Sequence, residues 1–515
     1  MMRRRSPSPS QCLNLVAVSG QGSAPEKSDI EWMRSQGVDV IPGDGLLPAV
    51  VPSVVDTWVE ALVRFGIMGL GQTLAPAIEL AQERFPMYSA LRNTISSYAE
   101  RFVSEWPSTA RVFLPEGKIL DEGEIFRQSQ LANTLLTLAK AERKASHQSR
   151  QAGLKAARDE FFTGKIARRI AQFVEEPEAL DATGTYHRAL LGPQDLERYH
   201  ARIEEQSPLT FEYEIFKCGP WTQGPVFLQQ LKILEGYDLR ALGLNFADYI
   251  HVLVEAAKLA FADRERYYGD PEFDHVSMTM LLSDEHANTL RQRIDMQHAS
   301  TGITQSDTSN IERVGAGTVD TTHLDVIDRW RNMISATQSG GWIQSSPLIE
   351  GLGFALSTRG QMFCLDPKKS ESLAPGKRPR TTLTPFLAFK NGKPFMVFGT
   401  PGGDQQDRWS LQFFLNLTPF GMNLQEAVDA PSFYTLDFPS SFYPRKASPR
   451  EVQIEDTILT EIREALERRG HILRVTPSWQ NGRVTAAARD PRSGVVMAAA
   501  SRKMMFGNTA HALGW

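Results

Sequence analysis

Cysteine is scarce. The 515 residues hold three, Cys12, Cys218 and Cys364, too far apart for a disulfide framework or a metal-ligand spacing. Buried free thiols are therefore expected. Long apolar runs are missing too, since none approaches the roughly 20 residues that a helical membrane span needs. A basic excess is also absent: the chain is 41% hydrophobic and 23% charged with a formal net charge of −4, a composition of soluble globular proteins that disfavours nucleic acid as a partner. MMRRRSPSPS starts with basic residues, but the following CLNLVAV is too short and poorly placed for a secretory apolar region. A soluble protein is expected, with no membrane span or secretory signal; its location stays open, with the cytoplasm favoured. Neither a G-x-S-x-G elbow nor an H-E-x-x-H motif is present, and no repeat has a solenoid period. No metal and no cofactor is expected.

What is present falls into two regions. LNLVAV (13–18) reads as a buried strand followed by turn chemistry, and helices follow in the patterns VVPSVVDTWVEALVRFG and TLAPAIELAQE, with prolines near their starts. Further helices are expected in ANTLLTLAKAERKA, KAARDEFFTGKIARRIAQFVEE and NFADYIHVLVEAAKLAFADRERYYGD. An alternating strand, Phe211 to Lys217, breaks at CGP and gives way to another helix, which is α/β layering. Residues 299–320 lack periodicity and abound in Thr, Ser, Gly and Asp, as a flexible surface segment does. Beyond them, strands are expected in THLDVIDRW, NMISATQS, GFALSTRGQMFCLD, TTLTPFLAFKNGKPFMVFGTPGG and RVTAAARDPRSGVVMAAAS, with hairpin turns at KNGKP and DPRSG. Helices are expected at Gln405 to Asn416 and in TILTEIREALERRGH, stopped by its glycine. The division is thus 1–320, helix-rich and ending in a cleavable segment, and 321–515, strand-rich.

VDTTHLDVIDRW, residues 319–330, has two readings. In one it is a strand start rich in β-branched residues; in the other the chain is cut before Thr321, which becomes a nucleophile. An N-terminal threonine carries its own base, because a free α-amine has a pKa near ~8. The Thr321 hydroxyl would attack the Asp320 carbonyl, shift the acyl group from nitrogen to oxygen and leave an ester for water to open. Amide hydrolysis also needs donors for an oxyanion, and FGTPGGDQQDRW places Gly402 and Gly403 between a strand and a helix N-terminus. Taken alone that junction is a tight turn. KRPRTTLTP offers the hydroxyls of Thr381 and Thr382 beside basic residues, either an anchor for a polar or anionic substrate group or an ordinary strand start.

TTHLDVID, GKRPRTTLTP and GTPGGDQQ, in this order and spacing, resemble the gamma-glutamyltranspeptidase family of N-terminal-nucleophile hydrolases. CGPWTQGPVFLQQLKILEGYDL and YIHVLVEAAKLAFADRERYYGDPEF resemble that family's large-subunit core. The resemblance implies an α+β fold, a four-layer αββα sandwich, made by a proenzyme that cuts itself at Asp320-Thr321 into two subunits that stay together as a heterodimer. Thr321 would be the nucleophile, Ser339 a hydroxyl assisting it, and Gly402 and Gly403 the oxyanion hole. Thr381 and Thr382 would replace the family's substrate-carboxylate serines, with Gln361 a further substrate contact. A gamma-glutamyl amide such as glutathione would acylate Thr321, and water or an amino-acid acceptor would resolve the ester.

Departures from the pattern stand against a simple transfer. Gln21 in QGSAP occupies the position of an arginine that grips the glutamyl carboxylate, and a neutral amide cannot replace a guanidinium fork. Gly341 stands near an expected Asn, and Phe363 or Cys364 near an expected Asp, leaving Gln361 as the retained residue. An acylase for a non-glutamyl amide is therefore an alternative. Asp325 stands where a small hydroxyl residue is usual. The family also has a Gly- and Ala-rich segment before the early strand that this chain does not show, which makes a truncated, non-catalytic member a further alternative. His323 is expected to be structural, since the threonine amine already serves as base.

Overall fold

The computed structural model describes residues 15–175, 178–205, 209–210, 213–301, 321–490, 492–502 and 510–514. The site is carried by strands β1 (Tyr213–Lys217), β2 (Thr322–Ile327), β3 (Met333–Gln338), β4 (Phe386–Lys390), β5 (Lys393–Gly399), β6 (Thr485–Arg489) and β7 (Val496–Ala500). Three helices accompany them: α1 (Gly224–Leu234), α2 (Ala247–Tyr267) and α3 (Gln406–Leu417). A six-stranded antiparallel sheet runs β7-β6-β5-β4-β1 and then Leu209–Thr210. β1 thus comes from the first region and pairs directly with β4 from the second. The β4–β5 hairpin closes through Asn391 and Gly392, both at positive φ (53° and 69°), as a tight Asn-Gly hairpin turn requires.

One face of this sheet is apolar and covered by helices. Ile215, Phe386 and Phe398 meet Phe227 of α1, Leu253 of α2, and Phe413 and Phe414 of α3 in one buried cluster. Burying each such aromatic contributes about 1.5–3 kcal/mol, which fixes the order of sheet and helices before any polar contact is considered. Against the other face lies the β2–β3 hairpin, touching β5 and β6. Its inner side is polar. Ser335 Oγ donates to the Phe398 carbonyl (3.4 Å) and accepts from Phe386 N–H (3.3 Å), stitching the hairpin to the sheet. Its outer side carries Leu324, Val326 and Ile334, 43%, 43% and 57% exposed. The architecture is the layered α+β sandwich that the resemblance implies.

The early strand forms at Val16–Ser19, paired with Arg202–Glu205. Most helices lie where periodicity puts them, with two corrections. Pro76 sits inside the helix Leu70–Gln82 rather than near its start, on a turn whose buried side is held by Leu74 and Ile78. The single run expected in KAARDEFFTGKIARRIAQFVEE is two helices, Arg150–Phe162 and Lys165–Glu175, split at Thr163-Gly164. GFALSTRGQMFCLD is not a strand. It makes isolated bridges, Val50 with Ser357 and Leu348 with Ala355, and then a 3-10 turn at Arg359–Met362. Because these residues bond to scattered partners, no continuous ladder forms. A small three-stranded sheet includes a parallel pair, Glu451–Glu455 with Ile472–Thr476, beside an antiparallel one. Cys218 is buried and free, whereas Cys364 is free and half-buried; Cys12 and residues 302–320, including Asp320, lie outside the described residues.

Candidate active site

Antiparallel register assembles the first pair of residues. Thr322 faces Gln338, so Thr321, just ahead of β2, comes opposite Ser339, just after β3. Thr321 is buried, and its Oγ1 donates to Ser339 Oγ at 3.2 Å.

Two residues on, His323 turns inward. Its side chain is about as buried as a side chain can be, with Nδ1 at 2.7 Å from Thr337 Oγ1 and Nε2 at 3.0 Å from Asp325 Oδ2. The same carboxylate oxygen accepts Thr485 Oγ1 of β6 at 2.8 Å. Both ring nitrogens are therefore engaged away from Thr321, and Asp325 has a specific task as the imidazole's partner. A Cβ on Gly399 would lie 2.4 Å from His323 Cε1, so only glycine lets the ring rest on the end of β5. This contact brings the start of β2 to the strand end that leads into the Pro401-Gly402-Gly403 turn.

That turn needs its glycines. Gly402 and Gly403 have φ of 138° and 55°, and a Cβ on Gly402 would come within 2.3 Å of the Trp409 ring. A clamp holds it from behind. The Asp404 carboxylate receives Arg264 of α2 and, from Ser441, both the backbone N–H (2.9 Å) and Oγ (2.6 Å). Burial opposes ionisation of Asp404, yet Arg264 and the Ser441 donors hold its carboxyl below the usual range. Gln223 ties the turn to the threonine pair: its Nε2 donates to the Gly403 carbonyl at 3.3 Å, and its backbone N–H to the Thr381 carbonyl at 2.9 Å. Behind it, burial pushes the Glu265 carboxyl up, but Arg380, Arg264 and Arg445 together bring it down to about 2.

Thr381 and Thr382 differ in what they offer. Thr381 Oγ1 already accepts the Leu383 N–H at 3.2 Å. Thr382 Oγ1 is buried and has no hydrogen-bond partner among the described residues, so its whole hydrogen-bonding capacity is unused. The basic residues beside them are engaged within the protein. Lys377 pairs with Asp274, Arg378 donates to Ser19 and His200, and Arg380 pairs with Glu265.

Gln361 is linked through Thr358 to the backbone beside Ser339, and its amide is fully used. Its Nε2 donates to the carbonyls of Gly43 and Thr358, both at 3.2 Å, and its Oε1 accepts Tyr443 N–H at 3.0 Å. Thr358 N–H in turn bonds to the Gly340 carbonyl, beside Ser339. Gly341 has φ of 121° and a Cβ there would meet Ser345 at 2.9 Å, so this backbone excludes an asparagine. Phe363 is core, packed with Ala24 and Met33. Gln21 is buried, its Nε2 directed at the neighbouring Gly22 carbonyl.

Sequence reasoning missed Gln223, the Arg264–Asp404–Ser441 clamp and the Ser440–Arg445 loop. The only signal was Arg264 itself, a charge inside the long buried face of α2. Among the described residues one group has a metal-like donor set, His251, Glu255 and His471. Lys258 already holds Glu255 at 2.7 Å, and the two imidazoles share a hydrogen bond of 2.8 Å. The group is a buried polar brace, with burial foremost in keeping both imidazoles neutral.

The gamma-glutamyltranspeptidase profile matches residues 11–508. The acylase ACY 1 proenzyme of Pseudomonas sp. (strain SE83) is 32% identical over 452 residues, spanning 87% of this chain and 72% of that protein. The glutathione hydrolase proenzyme of Escherichia coli (strain K12) is 26% identical over 436 residues, spanning 81% and 68%. Among solved structures, the cephalosporin acylase from Bacillus halodurans superposes with a TM-score of 0.80 at 28% identity, covering 97% of this chain and 85% of that one. LmbA2991HD superposes with a TM-score of 0.89 at 37% identity, covering 99% and 89%. Fold, motifs and relatives agree: the chain belongs to the gamma-glutamyltranspeptidase family, as a hydrolase of its transpeptidase and acylase group.

Proposed function

We propose that this protein is a self-processing amide acylase whose nucleophile is Thr321. The contact between Thr321 Oγ1 and Ser339 Oγ, 3.2 Å long and two residues from the His323 ring that rests on Gly399, carries the reading. In maturation the Thr321 hydroxyl attacks the Asp320 carbonyl carbon, the acyl group moves to oxygen, and water hydrolyses the ester. Two chains result, 1–320 and 321–515, held together as a heterodimer by the shared sheet. The new α-amine then takes the proton of Thr321 Oγ1 as the oxygen attacks a substrate amide. Backbone N–H groups of Gly402 and Gly403 receive the oxyanion, Ser339 supports the hydroxyl, and Thr382 binds a polar group of the substrate. The C–N bond breaks, the amine leaves with the proton, and water or an amine acceptor opens the Thr321 ester.

A non-glutamyl acyl group is favoured. Gln361 is occupied, Gly341 and Phe363 cannot supply the lost charged contacts, and Gln21 lacks the guanidinium. The second reading, a gamma-glutamyl amide, is supported by the glutathione hydrolase relatives and the Thr381-Thr382 pair. Denaturing electrophoresis tests the nucleophile: two bands are expected for the purified protein and one for Thr321→Ala, which also loses all amide hydrolysis. A single uncleaved band from folded wild-type protein would sink the proposal.

A further inference from the structure

The loop from Ser440 to Arg445 is held at both ends against opposite sides of the site. On one side Ser441 is bound to Asp404, and Ser440 Oγ reaches the same carboxylate at 3.5 Å. On the other, Tyr443 N–H is held by Gln361 at 3.0 Å, and the Arg445 guanidinium donates to the Met362 carbonyl. The loop closes on itself through Ser440 N–H to the Lys446 carbonyl (3.1 Å) and Arg445 N–H to the Phe442 carbonyl (2.7 Å). Phe442 lies at the middle of this span. A Cβ on Gly403 would come within 2.8 Å of its Cε2, so the half-buried ring rests directly on the oxyanion turn. The Arg359 guanidinium lies over the same ring, 5.6 Å from its centroid.

These surroundings define what the ring can meet. The charged group over the ring is Arg359, with Arg445 on the same loop; the carboxylates around the loop are Asp404, taken by Arg264 and Ser441, Glu371, set between Arg380 and Arg445, and, near Tyr443, Asp44 and Asp181, taken by Arg101 and His187. An ammonium group placed there finds cations and no free anion. A flat or aliphatic carbon chain finds an aromatic face fixed by two anchors, with little rotamer freedom left to lose on binding.

We propose that Phe442 is the specificity-determining residue of the acyl pocket, an aromatic shelf beside the Gly402-Gly403 turn that favours acyl groups apolar next to the carbonyl over α-amino-acid acyl groups. This rests on the reading that Thr321 is acylated. The test compares 4-nitroanilides of phenylacetic, hexanoic and γ-glutamic acids on the cleaved protein, with wild type, Phe442→Ala and Phe442→Leu. Phe442→Ala lowers kcat/KM for the phenylacetyl and hexanoyl amides by about 10-fold or more, chiefly through KM, and changes the γ-glutamyl amide less than about 3-fold. Phe442→Leu keeps hexanoyl turnover within about 3-fold and loses phenylacetyl preference. Equal losses on all three amides, no loss on any, or a wild-type preference for the γ-glutamyl amide overturns the proposal. Self-cleavage, read on a gel for each variant, separates the two readings. Wild-type protein that never cleaves defeats acylation at Thr321, whereas cleaved variants without a selectivity change defeat Phe442 alone. Were Phe442→Ala to misfold, the phenylacetyl-to-hexanoyl ratio of Phe442→Leu decides.

Discussion

The two ends of the candidate site are built on opposite principles. Around Thr321 and the Gly402-Gly403 turn, a set of buried polar groups is committed to holding geometry: His323 to Asp325, Asp404 to Arg264 and Ser441, Gln223 to Gly403 and Thr381. At the end where a glutamyl head would bind, the residues are replaced or already engaged, as Gln361 is with Tyr443, Gly43 and Thr358. Acyl transfer demands fixed positions to within a fraction of an ångström, while recognition can be exchanged without disturbing them. A family can therefore hold its chemistry constant and vary what it accepts.

The largest effect is expected at the constant end. Asp404→Ala removes one of the two carboxylates that hold Arg264, Glu265 remaining, and strips the buried Ser441 N–H and Oγ of their acceptor, which together should cost about 3–5 kcal/mol of stability, read as a lowered midpoint in urea unfolding. A loss below about 1 kcal/mol would mean that the turn does not depend on this clamp. Next is acid stability. The folded Glu265 carboxyl lies near 2, below the ordinary carboxylate value, so its contribution is fully present above about pH 4.5 and is lost as pH falls through about 2. Glu265→Gln should flatten this loss by roughly 2–3 kcal/mol in unfolding midpoints measured across that window. An unchanged slope would remove Glu265 from the support of the clamp. The smallest effect concerns the variable end. Gln361→Glu turns two donated hydrogen bonds into repulsion with the Gly43 and Thr358 carbonyls, so it should cost about 1–2 kcal/mol without creating γ-glutamyl turnover. A tenfold gain in γ-glutamyl hydrolysis would erase the contrast between the two ends.

What could be read beforehand follows the range of the interactions involved. Thr321, the β4–β5 turn at Asn391-Gly392 and the glycines at 402 and 403 declare themselves through local chemistry, because their neighbours in sequence are their neighbours in space. Phe442 does not. Its position depends on Asp404 and Gln361, distant in sequence, and nothing in PSSFYPR signals either. The same holds for β1, which reads as a strand but takes its place in the sheet from β4, and for GFALSTRGQMFCLD, whose alternation suggests a ladder that its scattered partners never form. The basic run from Lys377 to Arg380 is hard to read for a related reason. Its charges answer carboxylates and carbonyls of the protein itself, and charge alone does not reveal on which side of the surface its partner lies.

The imidazole of His323, resting on Gly399, bears on what becomes of a severed strand. A chain end freshly made in mid-sheet tends to fray, because its first residues lose the tether that aligned them. Here the third residue from the cut would be bolted through the sheet by Asp325, Thr337 and Thr485, so the new terminus keeps its register when its covalent neighbour is gone. A threonine delivered to the site as part of a continuous chain would thus remain where it was delivered.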